Sequence, residues 1–387
     1  MSLVPPSDGN PALLSNSIYS GRIKQTLETA KDKNIAKNPA FDLEYLNQQY
    51  PAFDQIADLD AQINKFLALP PPSRAPRQTL FVFTFGTWDI WNLAAFPRKD
   101  GEQTIEALVG HLFNRVEKLY VKALNPKSSA FSDFWSNSTK EEIVALTAQD
   151  APNRVDKRKL ESFRILIPKL FDVTLSPAWH TRPVPPFPHS TAEQMRNAVY
   201  LTERWNKRIS DELHKWTEKA GAKPEGVDEE AIEDAAVQVP SMDSLLKYLP
   251  PALQPDSVKD KGVNDVIVAP YPRRAGAMSD PASAVLNAMT EEEMQRSGLQ
   301  DAKGRGSMSP SASMRFLDVW TACMPGEMQI AGALIDTVDT CDVPKNHLFY
   351  DSYTVSQRAI DHIAMDTAVT VLDQLFPPRQ RKGWISR

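Results

Sequence analysis

The sequence predicts an α/β fold, in the form of a three-layer α/β/α sandwich around a parallel sheet. Two charge-poor apolar runs, at residues 80–85 and 163–167, have the composition of strands that are buried on both faces. A segment with apolar residues at helical spacing follows each run, at 104–124 and 191–219. Because strand and helix alternate from Leu80 onward, we expect the strands to run parallel, with helices on both faces of the sheet.

The region before the first strand is predicted to be helical. After a lead-in at residues 1–14, apolar residues recur at helical spacing from Ser15, and serine and asparagine are available as caps. Residues 42–69 carry a second apolar pattern of this kind and are predicted to form further helix. We therefore expect helices ahead of the run that begins at Leu80.

Three features complete the predicted architecture. Residues 235–239 are a candidate third strand, and residues 356–376 have the pattern of a closing helix. Between them the composition shifts to proline, glycine, serine and charged residues, with a short helix predicted near 282–294. We interpret residues 250–315 as a Pro/Gly-rich insertion within a single domain that spans residues 1–387.

The composition excludes some classes of function. The formal net charge is −5 and the isoelectric point is about 5.8, so no global positive field favours nucleic acid as a partner. The sequence has no uninterrupted apolar run of the ~18 residues that a transmembrane helix needs. As written, it begins without the basic and apolar regions of a signal peptide, and no motif indicates a metal site or a cofactor.

The candidate site lies at the turn after the first strand. Gly86 lets the chain turn sharply at the carboxyl end of the apolar run, and Thr87, Trp88 and Asp89 follow it. In open parallel sheets, ligands bind at the carboxyl ends of the strands. We therefore expect binding or chemistry beside Trp88 and Asp89.

Three segments resemble, in order, the sequence blocks of one hydrolase family. Residues 83–90, FTFGTWDI, are similar to a strand that ends in Gly-x-Asn-Asp, and residues 163–177 are similar to a strand with a proline-rich loop. Residues 341–354 are similar to a terminal block that contains Asp-x-x-His. The chain thus resembles the SGNH, or GDSL-type, hydrolase superfamily of esterases and lipases over most of its length outside the insertion. The resemblance implies an SGNH-hydrolase-like, flavodoxin-like sandwich.

The same resemblance implies a serine nucleophile, fixed oxyanion donors and a histidine base that an aspartate orients from three residues before it. Asp351 stands at the aspartate position, but Thr354 stands at the histidine position and cannot act as a base near neutral pH. Trp88 occupies the place of the asparagine donor, and no Gly-Asp-Ser occurs in the sequence. His180 and His347 are the candidates for a relocated base.

These departures favour a pseudoenzyme, which binds a carbohydrate, an acyl group or a protein ligand without hydrolysing it. The alternative is an active esterase or acylhydrolase, with a rearranged or incompletely represented catalytic site. Aromatic side chains beside an α/β crevice suit such ligands. The same rings could instead fill the space of the missing catalytic groups. A third hypothesis is a scaffold protein whose function is unrelated to hydrolysis. The predicted pocket residues are Gly86, Thr87, Trp88, Asp89, Trp91, Trp179, His180, Tyr350 and Tyr353.

Cys323 and Cys341 are the only cysteines. Their spacing alone is equally compatible with one disulfide and with two buried thiols. Because family members of secretory type carry a bridge just before the last block, the resemblance favours a disulfide. It also favours a secretory or extracellular location, with the cytoplasm as the alternative.

Overall fold

The computed structural model of the chain describes residues 12–34, 37–52, 56–136, 138–147, 161–219, 271–299, 314–324, 328–330, 333–335 and 341–376. These ranges combine helices with parallel strands, so the predicted α/β class is confirmed. Every helix within them is too short or too polar to span a membrane.

Within the described residues, the central sheet has the strand order β1-β2-β3, and both pairs of neighbours run parallel. The strands are β1 (Leu80–Val82), β2 (Ser162–Leu166) and β3 (Arg273–Ala277). Phe81 pairs with Ile165 and Arg164 pairs with Ala275, so β2 lies between the other two strands. The predicted parallel pairing of the two apolar runs is therefore confirmed.

The first strand is shorter and more exposed than its composition predicts. β1 ends at Val82, and the Val82 side chain is 52% exposed, whereas Phe163 to Leu166 of β2 are buried. In the described sheet β1 has a neighbour on one side only, while β2 has one on each side. The prediction of burial on both faces is wrong for β1, because solvent reaches the face of the strand on which Val82 lies.

The third strand comes from the range that the sequence predicts to be an insertion, whereas the predicted strand at 235–239 lies outside the described residues. Arg274 is buried in β3 because its guanidinium donates to both carboxylate oxygens of Glu117, at 2.7 and 3.1 Å. Gly276 allows close packing, since a Cβ there would lie 2.3 Å from the Leu213 side chain. Part of the range 250–315 thus belongs to the core sheet.

The helices ahead of β1 are more divided than predicted. α1 (Asn16–Lys33) begins where the sequence predicts, with the Ser15 hydroxyl accepting a hydrogen bond from the Ile18 N–H. The predicted helix at 42–69 is two helices, α2 (Tyr45–Gln49) and α3 (Leu59–Leu67). Pro51 follows α2, and the Asp58 carboxylate caps α3, so the chain stops one helix and begins another.

In the described residues, β1 is followed by α4 (Thr87–Leu93), α5 (Arg98–Ala123), α6 (Lys140–Thr147) and, after β2, α7 (Thr191–Glu218). The long helices α5 and α7 pack against each other, as their apolar spacing predicts. Their contact forms the centre of the main core, which includes the buried residues Leu108, Leu112, Val116, Leu201, Trp205 and Ile209.

Two further sheets, each of two strands, lie toward the C-terminal end of the described chain. β4 (Asp318–Ala322) pairs in parallel with β7 (His347–Phe349), and β5 (Met328–Ile330) pairs antiparallel with β6 (Ala333–Ile335). A disulfide joins Cys323 to Cys341, with Cα atoms 4.9 Å apart, so the predicted bridge is confirmed. The bridge fixes the end of β4 beside the segment that leads to β7.

Two further helices connect this region to the rest. α8 (Pro281–Arg296) and α9 (Gln357–Leu375) contact each other and form a second core with Phe316, Leu348 and Phe349. At the end of α9, the Leu375 carbonyl accepts a hydrogen bond of 2.8 Å from the Nε of Arg164, which is buried in β2. The last described helix is therefore attached to the middle strand of the central sheet.

Candidate functional site

The turn after β1 is built on Gly86, as predicted. Gly86 has φ = +118°, a left-handed conformation that favours glycine. A Cβ at this position would lie 2.6 Å from the ring of Trp205 and 2.8 Å from Leu170. α4 begins at the next residue, so Thr87, Trp88 and Asp89 lie in the first turn of a helix rather than in a loop. The turn thus directs Trp88 and Asp89 to different sides of α4.

Asp89 points into the protein. Its side chain is fully buried, and its two carboxylate oxygens accept hydrogen bonds of 3.2 and 3.1 Å from the backbone N–H of Leu14. Burial raises the pKa of Asp89 to about 7. Backbone hydrogen bonds to the carboxylate lower the pKa, and the bond from Leu14 has the largest effect among them. The described contacts of Asp89 attach α4 to the segment before α1.

This buried carboxyl group is expected to make the free energy of unfolding depend on pH. The pKa of Asp89 is about 7 in the folded chain and 3.8 in the reference state, so the unfolded chain loses this proton at a lower pH. Between about pH 4 and pH 7 the folded chain therefore binds more protons than the unfolded chain, and the free energy of unfolding falls as the pH rises. Urea unfolding should show wild type losing on the order of 2–3 kcal/mol between pH 5 and pH 8. Asp89→Asn should flatten that decline.

Asp58→Asn is the matched control, because Asp58 also accepts backbone N–H groups, those of Asn16 and Ala61, but is only half-buried. We expect Asp58→Asn to retain the decline of the wild type. An equal decline in wild type and Asp89→Asn would contradict the assignment of the pH dependence to Asp89.

Four of the predicted aromatic residues form a cluster beside α4, namely Trp88, Trp91, Trp179 and Tyr353. In this aromatic cluster, Trp88 contacts Tyr353 with ring centroids 4.9 Å apart, and Trp91 contacts Trp179 at 5.4 Å. Trp91 also lies 6.0 Å from Trp88 and 5.9 Å from Tyr353, both in edge-to-face geometry. Trp91 and Trp179 are buried, whereas Tyr353 is 47% exposed. The aromatic cluster therefore has an inner pair of rings and an outer surface.

An arginine that the sequence does not single out lies against the inner rings. The Arg182 guanidinium carbon is 4.6 Å from the ring centre of Trp179, 4.8 Å from that of Trp91 and 4.5 Å from that of Tyr50. Its Nε donates a hydrogen bond of 2.7 Å to the side-chain oxygen of Gln194. The side chain is buried, and burial lowers the pKa of Arg182 to about 10, so it is charged at neutral pH.

The terminal block forms a compact turn. One Asp351 oxygen accepts hydrogen bonds from the backbone N–H groups of Tyr353, at 2.7 Å, and Thr354, at 2.6 Å, and the other accepts from the Thr354 hydroxyl. The turn contacts the 3₁₀ turn Pro177–Thr181, because the Ala178 N–H donates a hydrogen bond of 3.0 Å to the Ser352 carbonyl.

The same turn occurs a second time. Asp318 accepts from the backbone N–H groups of Trp320, at 2.9 Å, and Thr321, at 2.8 Å, and from the Thr321 hydroxyl. This repetition shows that an Asp-x-x-Thr sequence closes its own hydrogen bonds locally in this fold. The geometry at Asp351 is thus that of a turn carboxylate.

The predicted alternative bases lie on different elements. His180 is exposed at the end of the 3₁₀ turn Pro177–Thr181, and His347 begins β7, paired with Asp318 of β4. In the described part of the chain, neither imidazole hydrogen-bonds a serine hydroxyl. The other predicted residues are also outside the aromatic cluster: Thr87 and Tyr350 are exposed, and Gly86 lies under Trp205.

A cavity of about 330 Å³ is lined by the C-terminal part of α1, residues 94–97 and the first turns of α5 and α7. Lys33, Lys99, Asp100 and Glu193 lie around it. Gln194 borders this cavity and also bonds Arg182, so it separates the cavity from the aromatic cluster.

Comparisons of the chain with protein-family models, curated proteins and solved structures found no match. The candidate site therefore has to be interpreted from its own geometry. That geometry is an aromatic cluster with one exposed edge, a buried arginine behind it and an aspartate turn, closed by local hydrogen bonds, beside it.

Proposed function

We propose that the chain is an SGNH/GDSL-hydrolase-like protein that is catalytically impaired and acts by binding. Its ligand is a carbohydrate, an acyl group or a protein segment that contacts the outer face of the aromatic cluster. The mixed fold with parallel strands is compatible with a three-layer sandwich of that type, which forms part of the proposal. The disulfide supports, as a further part, a secretory or extracellular location.

The observation that carries this proposal is the bonding of Asp351. A carboxylate that orients a catalytic base must offer that base an acceptor oxygen. Here one oxygen bonds two backbone N–H groups and the other bonds Thr354, and Asp318 forms the same turn elsewhere. Asp89 is also turned inward, toward Leu14, so the bonding of both aspartates in the two resembling blocks supports the proposal of an impaired site.

One observation favours the alternative, an active ester hydrolase. His180 is exposed and follows Trp179, and its 3₁₀ turn contacts the Asp351 turn through the bond from Ala178 to Ser352. A relocated base at His180 would therefore lie next to the aromatic cluster. This arrangement identifies the single histidine whose removal tests the alternative.

The test of catalysis is the hydrolysis of p-nitrophenyl acetate, p-nitrophenyl butyrate and acetylated sugars by the purified chain. We expect rates equal to the protein-free background for wild type, Asp351→Ala and His180→Ala, because a serine without a base stays protonated and is a weak nucleophile. Wild-type turnover well above background that either substitution abolishes would overturn the impaired-enzyme proposal and establish the alternative.

The test of binding compares two tryptophans. Trp88→Ala removes an outer ring of the aromatic cluster, whereas Trp320→Ala removes a 39% exposed ring on β4 outside the aromatic cluster. In calorimetric titrations with hexanamide and glucose as acyl and sugar probes, Trp88→Ala should weaken the binding of the preferred probe roughly 5-fold or more, as expected for one lost ring contact. An equal loss in Trp320→Ala would contradict a site at the aromatic cluster.

A further inference from the structure

The most unusual group near the aromatic cluster is the charged end of Arg182. Both terminal nitrogens of its guanidinium are buried and have no hydrogen-bond partner, while Nε bonds Gln194. The indole N–H of Trp179, whose ring lies against the same guanidinium, is also buried without a partner. Buried polar atoms are nearly always hydrogen-bonded in proteins, so several unpartnered atoms around one side chain need an explanation.

The charge of Arg182 has no anion beside it in the described structure. The ionisable groups that act on it are four tyrosines: Tyr50, Tyr19, Tyr45 and Tyr353. Burial raises the pKa of each of these phenols, so all four are neutral at pH 7. The three rings stabilise the cation by cation–π contact, but taking an unpaired charge out of water is costly. An anion from outside would be strongly favoured at this place.

The unpartnered atoms define the chemistry of what is missing. The two terminal nitrogens of Arg182 and the Trp179 indole nitrogen all donate, so the missing group carries acceptors. Two adjacent guanidinium nitrogens match the two oxygens of a carboxylate, in the planar, bidentate geometry that arginine forms with such groups. A neutral acceptor would satisfy the hydrogen bonds but leave the charge uncompensated.

Trp91 connects Arg182 to the exposed edge of the aromatic cluster, because its ring lies 4.8 Å from the Arg182 guanidinium carbon and 5.9 Å from the ring of Tyr353. Tyr353 is 47% exposed and sits on the surface turn that Asp351 closes. A ligand that contacts Trp88 and Tyr353 would therefore bring its substituents toward Arg182.

Together, the geometry points to a carboxylate-binding subsite at Arg182, which makes the ligand of the aromatic cluster an organic acid. This inference rests on the proposed function, since it assigns a charged group to the ligand of that same site. Arg182 binds the carboxylate through its terminal nitrogens, and the rings of the aromatic cluster contact the apolar or sugar part. A fatty acid and a uronic acid share this chemistry, and the experiment separates them.

The experiment measures binding to the full chain by isothermal titration calorimetry with two matched pairs, hexanoate against hexanamide and glucuronate against glucose. We expect one acid to bind at least ~10-fold more tightly than its neutral counterpart, because hydrogen bonds to a charged partner are worth that much. The pair that shows the difference identifies the ligand as acyl or sugar. Inorganic phosphate should bind more weakly, and equal binding of phosphate would overturn the carboxylate assignment.

Arg182→Met should abolish the preference for the acid, and Arg182→Lys should reduce it by removing the bidentate geometry. Arg98→Met is the matched control, because Arg98 also stacks on a tyrosine, Tyr200, and bonds an α7 amide oxygen, that of Asn197, but is exposed. Arg98→Met should keep the preference. If Arg182→Met does not fold, the Arg182 Nε–Hε signal in ¹⁵N NMR of wild type supplies a second readout, because it should shift on addition of the acid.

Three results would overturn the inference: equal binding of an acid and its neutral counterpart, an unchanged preference in Arg182→Met, or an Arg182 signal that the acid does not shift. Equal binding that Trp88→Ala weakens would leave the proposed function standing without the carboxylate subsite. No binding of any compound, together with turnover of esters, would remove the proposed function as well.

Discussion

Gly86→Ala is expected to lower the free energy of unfolding by about 3 kcal/mol, the sum of overpacking and left-handed strain. The new methyl group would lie 2.6 Å from Trp205 and 2.8 Å from Leu170, both of which belong to the main core. The backbone has φ = +118°, which a residue with a Cβ adopts only at a cost. Neither effect can relax alone, because Gly86 joins β1 to the first turn of α4.

Urea unfolding of Gly86→Ala measures this loss, and Gly110→Ala is its control. Gly110 lies within α5, and a Cβ there would meet nothing within 4 Å. That substitution should stabilise the chain by ~0.5–1 kcal/mol, since alanine favours helix more than glycine does. A loss below about 1 kcal/mol in Gly86→Ala would show that Trp205 moves aside easily. Tryptophan fluorescence of the folded variant would then report whether the aromatic cluster moves with α4.

Glu117→Ala is expected to cost about 3–5 kcal/mol, because it removes one partner of a buried ion pair. Glu117 accepts two hydrogen bonds from Arg274, whose side chain is 1% exposed, and a third of 2.9 Å from the indole N–H of Trp216. This one carboxylate therefore connects α5, β3 and α7. Without it, the buried guanidinium of Arg274 loses both hydrogen bonds to this carboxylate.

Glu106→Ala provides the comparison within the same helix. Glu106 also bridges α5 to α7, through ion pairs with Arg204 at 2.7 Å and Arg208 at 2.6 Å, but its side chain is 37% exposed. An exposed pair of this kind contributes about 1 kcal/mol or less. If chemical denaturation gives equal losses for Glu117→Ala and Glu106→Ala, burial is not what makes the Arg274 pair important.

The sequence predicts well those elements whose signal is local. The apolar spacing of α5 and α7 and the parallel pairing of β1 with β2 follow from composition, because a helix or strand must bury one side. β3 escapes prediction, since two arginines in five residues do not indicate a buried strand. Arg274 is buried because of Glu117, 157 positions earlier, and such a pairing leaves no local pattern.

The candidate site divides in the same way. Trp88, Trp91, Trp179 and Tyr353 are predictable, because each lies beside the end of a predicted strand or in a block that resembles one family. Arg182 and Gln194 are not, since an arginine after a proline-rich loop is normally solvated. Only the folded chain places Arg182 between Tyr50 and the inner rings of the aromatic cluster.

The bond between Arg164 and Leu375 has a consequence for the order of events during synthesis. The middle strand β2 leaves the ribosome long before residue 375, 211 positions later, and until then the buried Arg164 lacks both the Leu375 carbonyl and the ring of Phe376, 4.5 Å away. A nascent chain halted before α9 is expected to hold a central sheet in which the Arg164 side chain has not yet made these two contacts. Chaperone binding and protease sensitivity of ribosome-bound chains should therefore persist until α9 has emerged.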